Sequence, residues 1–193
     1  MSQSNIAGCI LAGGKSTRMG GRPKGLIEID GRPIVELVLQ VFKNIFNEII
    51  LVTNTPALYS KYDKDCLIVT DIIKGIGPLG GIYTGLKSTA KKAVFFTACD
   101  MPNLHNDLIL RQLKTFQSSN FQAFVAEMGG FTEPLHAIYK TELAHTIKDY
   151  VAKHKDYSLR GFLKTVNTGY FKLENINLNK EIFKNINTPG DLL

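Results

Sequence analysis

Residues 6–29 read IAGCILAGGKSTRMGGRPKGLIEI, and the rest of the chain is built around this segment. The apolar run at 9–12 is typical of a buried parallel strand. It breaks into a loop with four glycines from residue 13 to residue 24. Successive backbone N–H groups of such a loop can surround an anion, because glycine permits positive φ and close approach. The loop also carries the cations Lys15, Arg18 and Lys24, so the segment predicts a strand followed by a triphosphate-binding loop.

This loop matches neither of two common phosphate-binding motifs. A Walker A loop requires a glycine five residues before its Gly-Lys pair, and that position holds Cys9. A dinucleotide-binding fingerprint requires Gly-x-Gly-x-x-Gly, which begins at neither Gly13 nor Gly14. The remaining alternative is a glycine-rich turn between a strand and a helix, but an ordinary turn needs neither this length nor this positive charge.

Strands and helices alternate along the first half of the chain. Apolar runs predict further strands at 48–52, 67–69, 93–98, 123–126, 134–139 and 170–173. Helical spacing of apolar residues predicts helices at 33–46, 79–88, 104–116, 141–152 and 159–166, the fourth capped by Thr141. We therefore expect one α/β domain over 1–193, with a mostly parallel central sheet flanked by helices. Within it, we expect 1–102 to bind nucleotide and metal and 103–193 to bind the second substrate.

The composition is that of an ordinary globular protein, with 44% hydrophobic and 21% charged residues among 193. The net charge of +6 favours an anionic partner. Because the cations are dispersed and form no basic–aromatic stripe, we expect small phosphorylated ligands and no nucleic acid. No apolar run approaches the ~20 residues of a membrane span, and no signal peptide is predicted. Cys9, Cys66 and Cys99 lie in apolar runs, as expected of buried thiols in a cytoplasmic protein.

Four polar features follow the carboxyl ends of predicted strands: the 13–24 loop, Asn54, Asp71 and Asp100. Ligands bind at this edge of parallel sheets, so the four features predict a single active site. Asp100 ends an apolar run, where a carboxylate either forms a turn or binds a metal. Mg²⁺ prefers one or two carboxylates together with phosphate oxygens and waters. We therefore predict that Asp100 binds Mg²⁺.

Four motifs resemble those of the molybdenum cofactor guanylyltransferases, which have a Rossmann-like nucleotidyltransferase fold. They are LAGGKSTRMGGRPK at 11–24, GPLGG at 77–81, CDMP at 99–102 and NINTPGD at 185–191. The resemblance implies transfer of GMP from GTP to the phosphate of molybdopterin, with release of pyrophosphate. One departure is Pro23, since this family often has an acidic residue before the lysine, whereas Pro-Lys is common in cytidylyltransferases and sugar-phosphate nucleotidyltransferases. The alternatives are therefore a cytidylyltransferase acting on a pterin or isoprenoid phosphate, and a non-catalytic nucleotide-binding protein of the same fold.

The resemblance also implies residue roles. Asp100 would hold Mg²⁺, while Lys24 and Arg18 would offset the charge of the phosphates. The nucleotide would be bound by Lys24, Asp100 and a set at the strand ends: Leu11, Ala12, Gly13, Gly14, Asn54 and Asp71. In the second half, asparagine can both donate and accept, so we expect Asn185 and Asn187 to read the pterin edge and Arg160 or Lys164 to bind its acid group.

Other residues of the second half are secondary candidates. His136 would line the acceptor site, and a sugar acceptor would find only Glu127 and Glu133 for its hydroxyls. Transient contact with cofactor-synthesis or molybdoenzyme partners is also expected.

Overall fold

The computed structural model describes residues 5–13 and 23–173 of the chain. Four of the predicted site residues lie outside the described residues: Gly14, Arg18, Asn185 and Asn187. Lys15 of the glycine-rich loop also lies outside them, and the other site residues named above fall within the described ranges.

A seven-stranded sheet runs through both halves of the described chain. Its strands are β1 (Ile6–Leu11), β4 (Ile49–Val52), β5 (Leu67–Val69), β6 (Ala93–Ala98), β7 (Ala123–Met128), β8 (Phe131–Lys140) and β9 (Thr168–Lys172). A small ribbon pairs β2 (Glu28–Ile29) with β3 (Arg32–Pro33). The helices are α1 (Ile34–Lys43), α2 (Pro78–Lys87), α3 (Asn106–Gln117), α4 (Leu143–Lys153) and α5 (Leu159–Leu163).

The spatial order of the large sheet is β5-β4-β1-β6-β8-β7-β9. The four strands from β5 to β6 are mutually parallel, and their carboxyl ends meet at one edge. The strand β8 then pairs with β6 in the antiparallel direction. The amino end of β8 therefore lies at the same edge as the carboxyl end of β6.

Residues along each central strand alternate between two cores. Ile10 of β1 and Phe95 of β6 face the cluster built with α1 and α3. Cys9 of β1 and Phe96 of β6 face the cluster built with α2, α4 and α5. Both faces of these strands are therefore covered, which explains why their sequences are continuous apolar runs.

The predicted fold class is confirmed: a mostly parallel sheet flanked by helices. One local prediction is wrong, because α4 starts at Leu143 and Thr141 does not cap it. The Thr141 hydroxyl instead donates to the carbonyl oxygen of Lys92 at 3.1 Å, which ties the chain to the start of β6. Within the described ranges, no helix is long and apolar enough to cross a membrane.

Candidate active site

Lys24 and Asp100 meet at the carboxyl edge of the sheet. Asp100 follows β6 in a turn that the backbone N–H of Cys99 holds against β1 by donating to the Leu11 carbonyl at 3.0 Å. Lys24 begins a 3-10 turn directly after Pro23. Its Nζ lies 2.8 Å from Asp100 Oδ2, with 29% and 13% of the two side chains exposed. The pair is thus partly shielded from water but open to a ligand.

Gly25 fixes the position of this lysine by close packing. A Cβ at residue 25 would lie 3.0 Å from the Tyr59 hydroxyl and 3.3 Å from the Cβ of Cys99. Burial raises the pKa of the Cys99 thiol to about 12, so the thiol stays protonated and acts as a packing group. Glycine at this position therefore allows the Lys24 turn to rest directly on the residue before Asp100.

A second polar group lies at the carboxyl ends of β4 and β5. The Asn54 amide donates from Nδ2 to Asp71 Oδ2 at 2.7 Å. A Cβ at Gly13 would come within 3.9 Å of that amide nitrogen and 4.0 Å of the same carboxylate oxygen. The other oxygen, Asp71 Oδ1, is buried and has no hydrogen-bond partner within the described chain. A buried acceptor of this kind is costly unless water, a ligand or another part of the chain donates to it.

The backbone of the preceding residues is largely committed to the sheet. Ala12 donates its N–H to the Val52 carbonyl at 2.8 Å. Its own carbonyl accepts from the hydroxyl of the buried Thr53 at 3.3 Å. The Ala12 backbone therefore offers little to a ligand, and the Asn54–Asp71 pair supplies side-chain polar groups at this end of the site.

The donor set is suited to Mg²⁺ held together with phosphates. Among the described residues, no three His, Cys, Asp or Glu side chains form a metal-binding group. Asp100 is a single carboxylate whose Oδ2 is paired with Lys24, and it lies at the edge where β1 ends and the glycine-rich segment begins. One carboxylate with phosphate oxygens and waters is a usual environment for Mg²⁺. Asp100 therefore fits the metal role predicted from the sequence.

One charged residue from the second half of the chain, Glu133, is coupled electrostatically to this edge of the sheet. Glu133 lies near the amino end of β8, and the charges of both Asp100 and Arg160 act on its carboxyl group. Arg160 lies exposed on α5. His136 is not a lining residue, because it is fully buried with its ring 5.0 Å from that of Phe95. The strand pattern places alternate residues on one face, but it does not show which face the rest of the chain covers.

The comparisons with known proteins agree with this arrangement. Residues 8–170 match the model of the MobA-like NTP transferase domain. A molybdenum cofactor guanylyltransferase from Syntrophotalea carbinolica is 37% identical over 186 residues, covering 94% of this chain and 86% of the relative. The protein of that name from Yersinia pestis is 34% identical over 191 residues, covering 98% and 94%.

A solved structure shows the same fold. The molybdopterin-guanine dinucleotide biosynthesis protein A of Archaeoglobus fulgidus superimposes with a TM-score of 0.81 at 22% identity, covering 96% of this chain and 94% of that one. Together with the sequence matches, this likeness covers nearly the whole chain. The chain therefore belongs to the MobA-like NTP transferase family.

Proposed function

We propose that this enzyme transfers GMP from GTP to the phosphate of molybdopterin and releases pyrophosphate. The observation that carries the proposal is the Lys24–Asp100 ion pair, 2.8 Å long, beside the end of β1 where the glycine-rich loop begins. The names of relatives at 34% and 37% identity support the same reaction.

Guanine is the base that the Asn54–Asp71 pair suits best. Guanine presents two adjacent donors, N1–H and the 2-amino group, whereas cytosine presents one amino group next to an acceptor nitrogen. Asp71 offers a buried acceptor oxygen that no described group occupies. Asn54 already donates to the other oxygen, which fixes the carboxylate in place. We therefore assign Asp71 to the N–H donors of guanine.

The chemical step is an in-line attack by the acceptor phosphate on the α-phosphorus of GTP. Such transfers need positioning and charge stabilisation more than covalent help from the protein. Lys24 would offset charge on the phosphates from its position beside Asp100, and Arg18 would act at the leaving pyrophosphate. When bound at Asp100, Mg²⁺ would supply further positive charge to the phosphate oxygens.

The test is to measure pyrophosphate release and nucleotide affinity together. Purified protein is given Mg²⁺, molybdopterin and GTP, CTP or ATP, and equilibrium binding of each nucleotide is measured in parallel. We expect turnover and the tightest binding with GTP. Preference for CTP would make the protein a cytidylyltransferase, and GTP binding without pyrophosphate release would make it a non-catalytic binding protein.

We further propose that the reaction takes place in the cytoplasm, with transient contacts to cofactor-synthesis or molybdoenzyme partners. Cys9, Cys66 and Cys99 are buried free thiols, as is common where the surroundings are reducing.

A further inference from the structure

The order of the strands sets the order of the substrate groups along the sheet edge. The base-binding pair follows β4 and β5, the glycine-rich loop follows β1, and Asp100 follows β6. The next strand is β8, on the side of β6 away from β1. A nucleotide with its base at Asp71 and its phosphates at Asp100 would occupy the edge from β5 to β6. The acceptor would then bind on the other side of Asp100, next to β8.

Glu133 occupies this side. The last pair between β6 and β8 joins Thr97 to His136. Asp100 follows Thr97 by three residues and Glu133 precedes His136 by three, so both lie beyond this last pair, at the same edge of the sheet. The negative charge of Asp100 acts on the Glu133 carboxyl, which agrees with that placement.

A β-bulge in β8 positions Glu133 at this edge of the sheet. Val125 of β7 pairs with Ala137, but the next residue, Ala126, pairs with Glu133, so 134–136 are extra residues in β8. Side chains satisfy the backbone of this bulge: Tyr139 Oη donates to the Pro134 carbonyl at 2.9 Å. Glu133 Oε1 in turn accepts from the backbone N–H of Leu135 at 3.0 Å. Bulges next to active sites commonly direct a side chain in this way.

The second carboxylate oxygen of Glu133 is available to a ligand. Glu133 is half-buried, and within the described chain its hydrogen bond goes through Oε1 alone. Burial raises the pKa of Glu133, and Asp100 raises it further, while the Leu135 N–H and Arg160 oppose the change. Such a carboxylate is stabilised by a donor, and it would repel an acceptor phosphate.

The same face of the hairpin also carries an exposed aromatic ring. Phe131 lies two residues before Glu133 in β8, on the same face of the strand. This residue is 78% exposed, which is unusual for phenylalanine. An exposed flat ring beside a carboxylate suits a flat heterocycle with N–H groups at its edge better than it suits a sugar.

We propose that Glu133 recognises the acceptor by accepting a hydrogen bond from a ring N–H of the pterin, which stacks on Phe131. The inference rests on the proposed function, because it assumes a pterin acceptor. It adds residues that the sequence motifs do not contain, and it places the acceptor ring on the β7–β8 hairpin.

The first test is Glu133→Gln, with Glu127→Gln as a matched control. The introduced amide keeps an oxygen that can accept from the Leu135 N–H, so the bulge is retained while the charge is lost. Glu127 pairs with Thr132 and lies on the opposite face of the same hairpin. We expect Glu133→Gln to raise KM for molybdopterin at least tenfold and leave the Kd for Mg·GTP within twofold. Glu127→Gln should change neither value more than twofold.

The second test uses surface residues, so that it does not depend on the bulge. Phe131→Ser should raise KM for molybdopterin several-fold at unchanged Kd for Mg·GTP. Tyr170→Ser, which removes another exposed aromatic side chain, is the control and should have no such effect. Equal effects of a variant and its control would overturn the corresponding contact.

Other outcomes separate this inference from the proposed function. A Glu133→Gln protein that loses Mg·GTP affinity as strongly as acceptor use would place Glu133 with the nucleotide and metal. A variant that fails to fold, together with an unaffected Phe131→Ser, would show that Glu133 only holds the bulge. Wild-type protein that releases no pyrophosphate with GTP and molybdopterin would overturn both proposals. Normal wild-type turnover with unchanged variants would overturn only the inference.

Discussion

Replacing Asp100 by asparagine separates the contribution of the Lys24–Asp100 pair to folding stability from its proposed role in catalysis. The pair spans 2.8 Å, and its side chains are 29% and 13% exposed. Exposed ion pairs contribute about 0–1 kcal/mol, and hydrogen bonds to charged groups contribute about 1.5–3 kcal/mol. Because the amide oxygen of asparagine can still accept from Lys24, we expect a loss of about 1 kcal/mol in the free energy of unfolding. For a chain of this size, such a loss lowers Tm by about 2–4 °C.

The expected effect on the reaction is larger than the effect on stability. The variant lacks the charge that would hold Mg²⁺ near the reacting phosphate, so turnover should fall at least tenfold, or about 1.4 kcal/mol. Pyrophosphate release is measured across a magnesium titration at 25 °C, where both proteins are folded. Urea unfolding of the same samples gives the stability change. Near-wild-type turnover at every magnesium concentration would refute the role of Asp100.

Three further predictions concern the base, the lysine turn and the core. In Asp71→Asn, the Asn54 amide must still donate to the oxygen of the new amide, so the new NH₂ group faces guanine. Two donors then meet, and the Kd for GTP should rise about tenfold. An unchanged Kd would show that Asp71 does not bind the base. Gly25→Ala should displace Lys24 and lower kcat several-fold, and urea unfolding should show a loss of about 1–2 kcal/mol in the free energy of unfolding. A kcat equal to that of the wild type would show that the turn can relax around the added methyl group. Burial lowers the pKa of His136 from 6.5 to about 3. Above the unfolded-state pKa the ring is neutral in both states, and burying it carries no charge penalty. As the pH falls below that value, the unfolded state takes up a proton that the folded state does not, and folding stability is lost. The free energy of unfolding should therefore drop by about 2 kcal/mol between pH 7.5 and pH 5, a step that His136→Gln should lack.

The parallel half of the fold could be predicted because its strands are buried on both faces. Runs such as 93–98 are apolar throughout, and the following turn residue is easy to recognise. Because the carboxyl ends of parallel strands meet at one edge, the sequence also predicts that Asn54, Asp71 and Asp100 lie together there. Their actual partners could not be predicted, since Lys24 and Asp100 are 76 residues apart and meet only because β1 lies beside β6.

The antiparallel half was harder to predict. The bulge at 134–136 depends on partners from elsewhere, including Gln112, which donates to the His136 carbonyl at 3.3 Å. No local pattern specifies such a contact, so His136 was wrongly predicted to line the site. Thr141 was likewise predicted as a helix cap from its residue type alone, while its hydroxyl bonds a carbonyl at the start of β6 instead.

The turn at the tip of the β7–β8 hairpin is a place where residues can be inserted without disturbing the packed parts of the fold. Gly129 and Gly130 have φ of 57° and 81°, and nothing lies within 4 Å of a Cβ built on either. Extra residues inserted there would extend the hairpin beyond the sheet edge without moving β1, β4 or β5. With the acceptor placed on this hairpin as proposed above, a longer tip would give room to a bulkier acceptor and leave the strands that carry Asn54 and Asp71 unchanged. By the same route, a gene duplicate could acquire a new second substrate through insertions at a single surface turn.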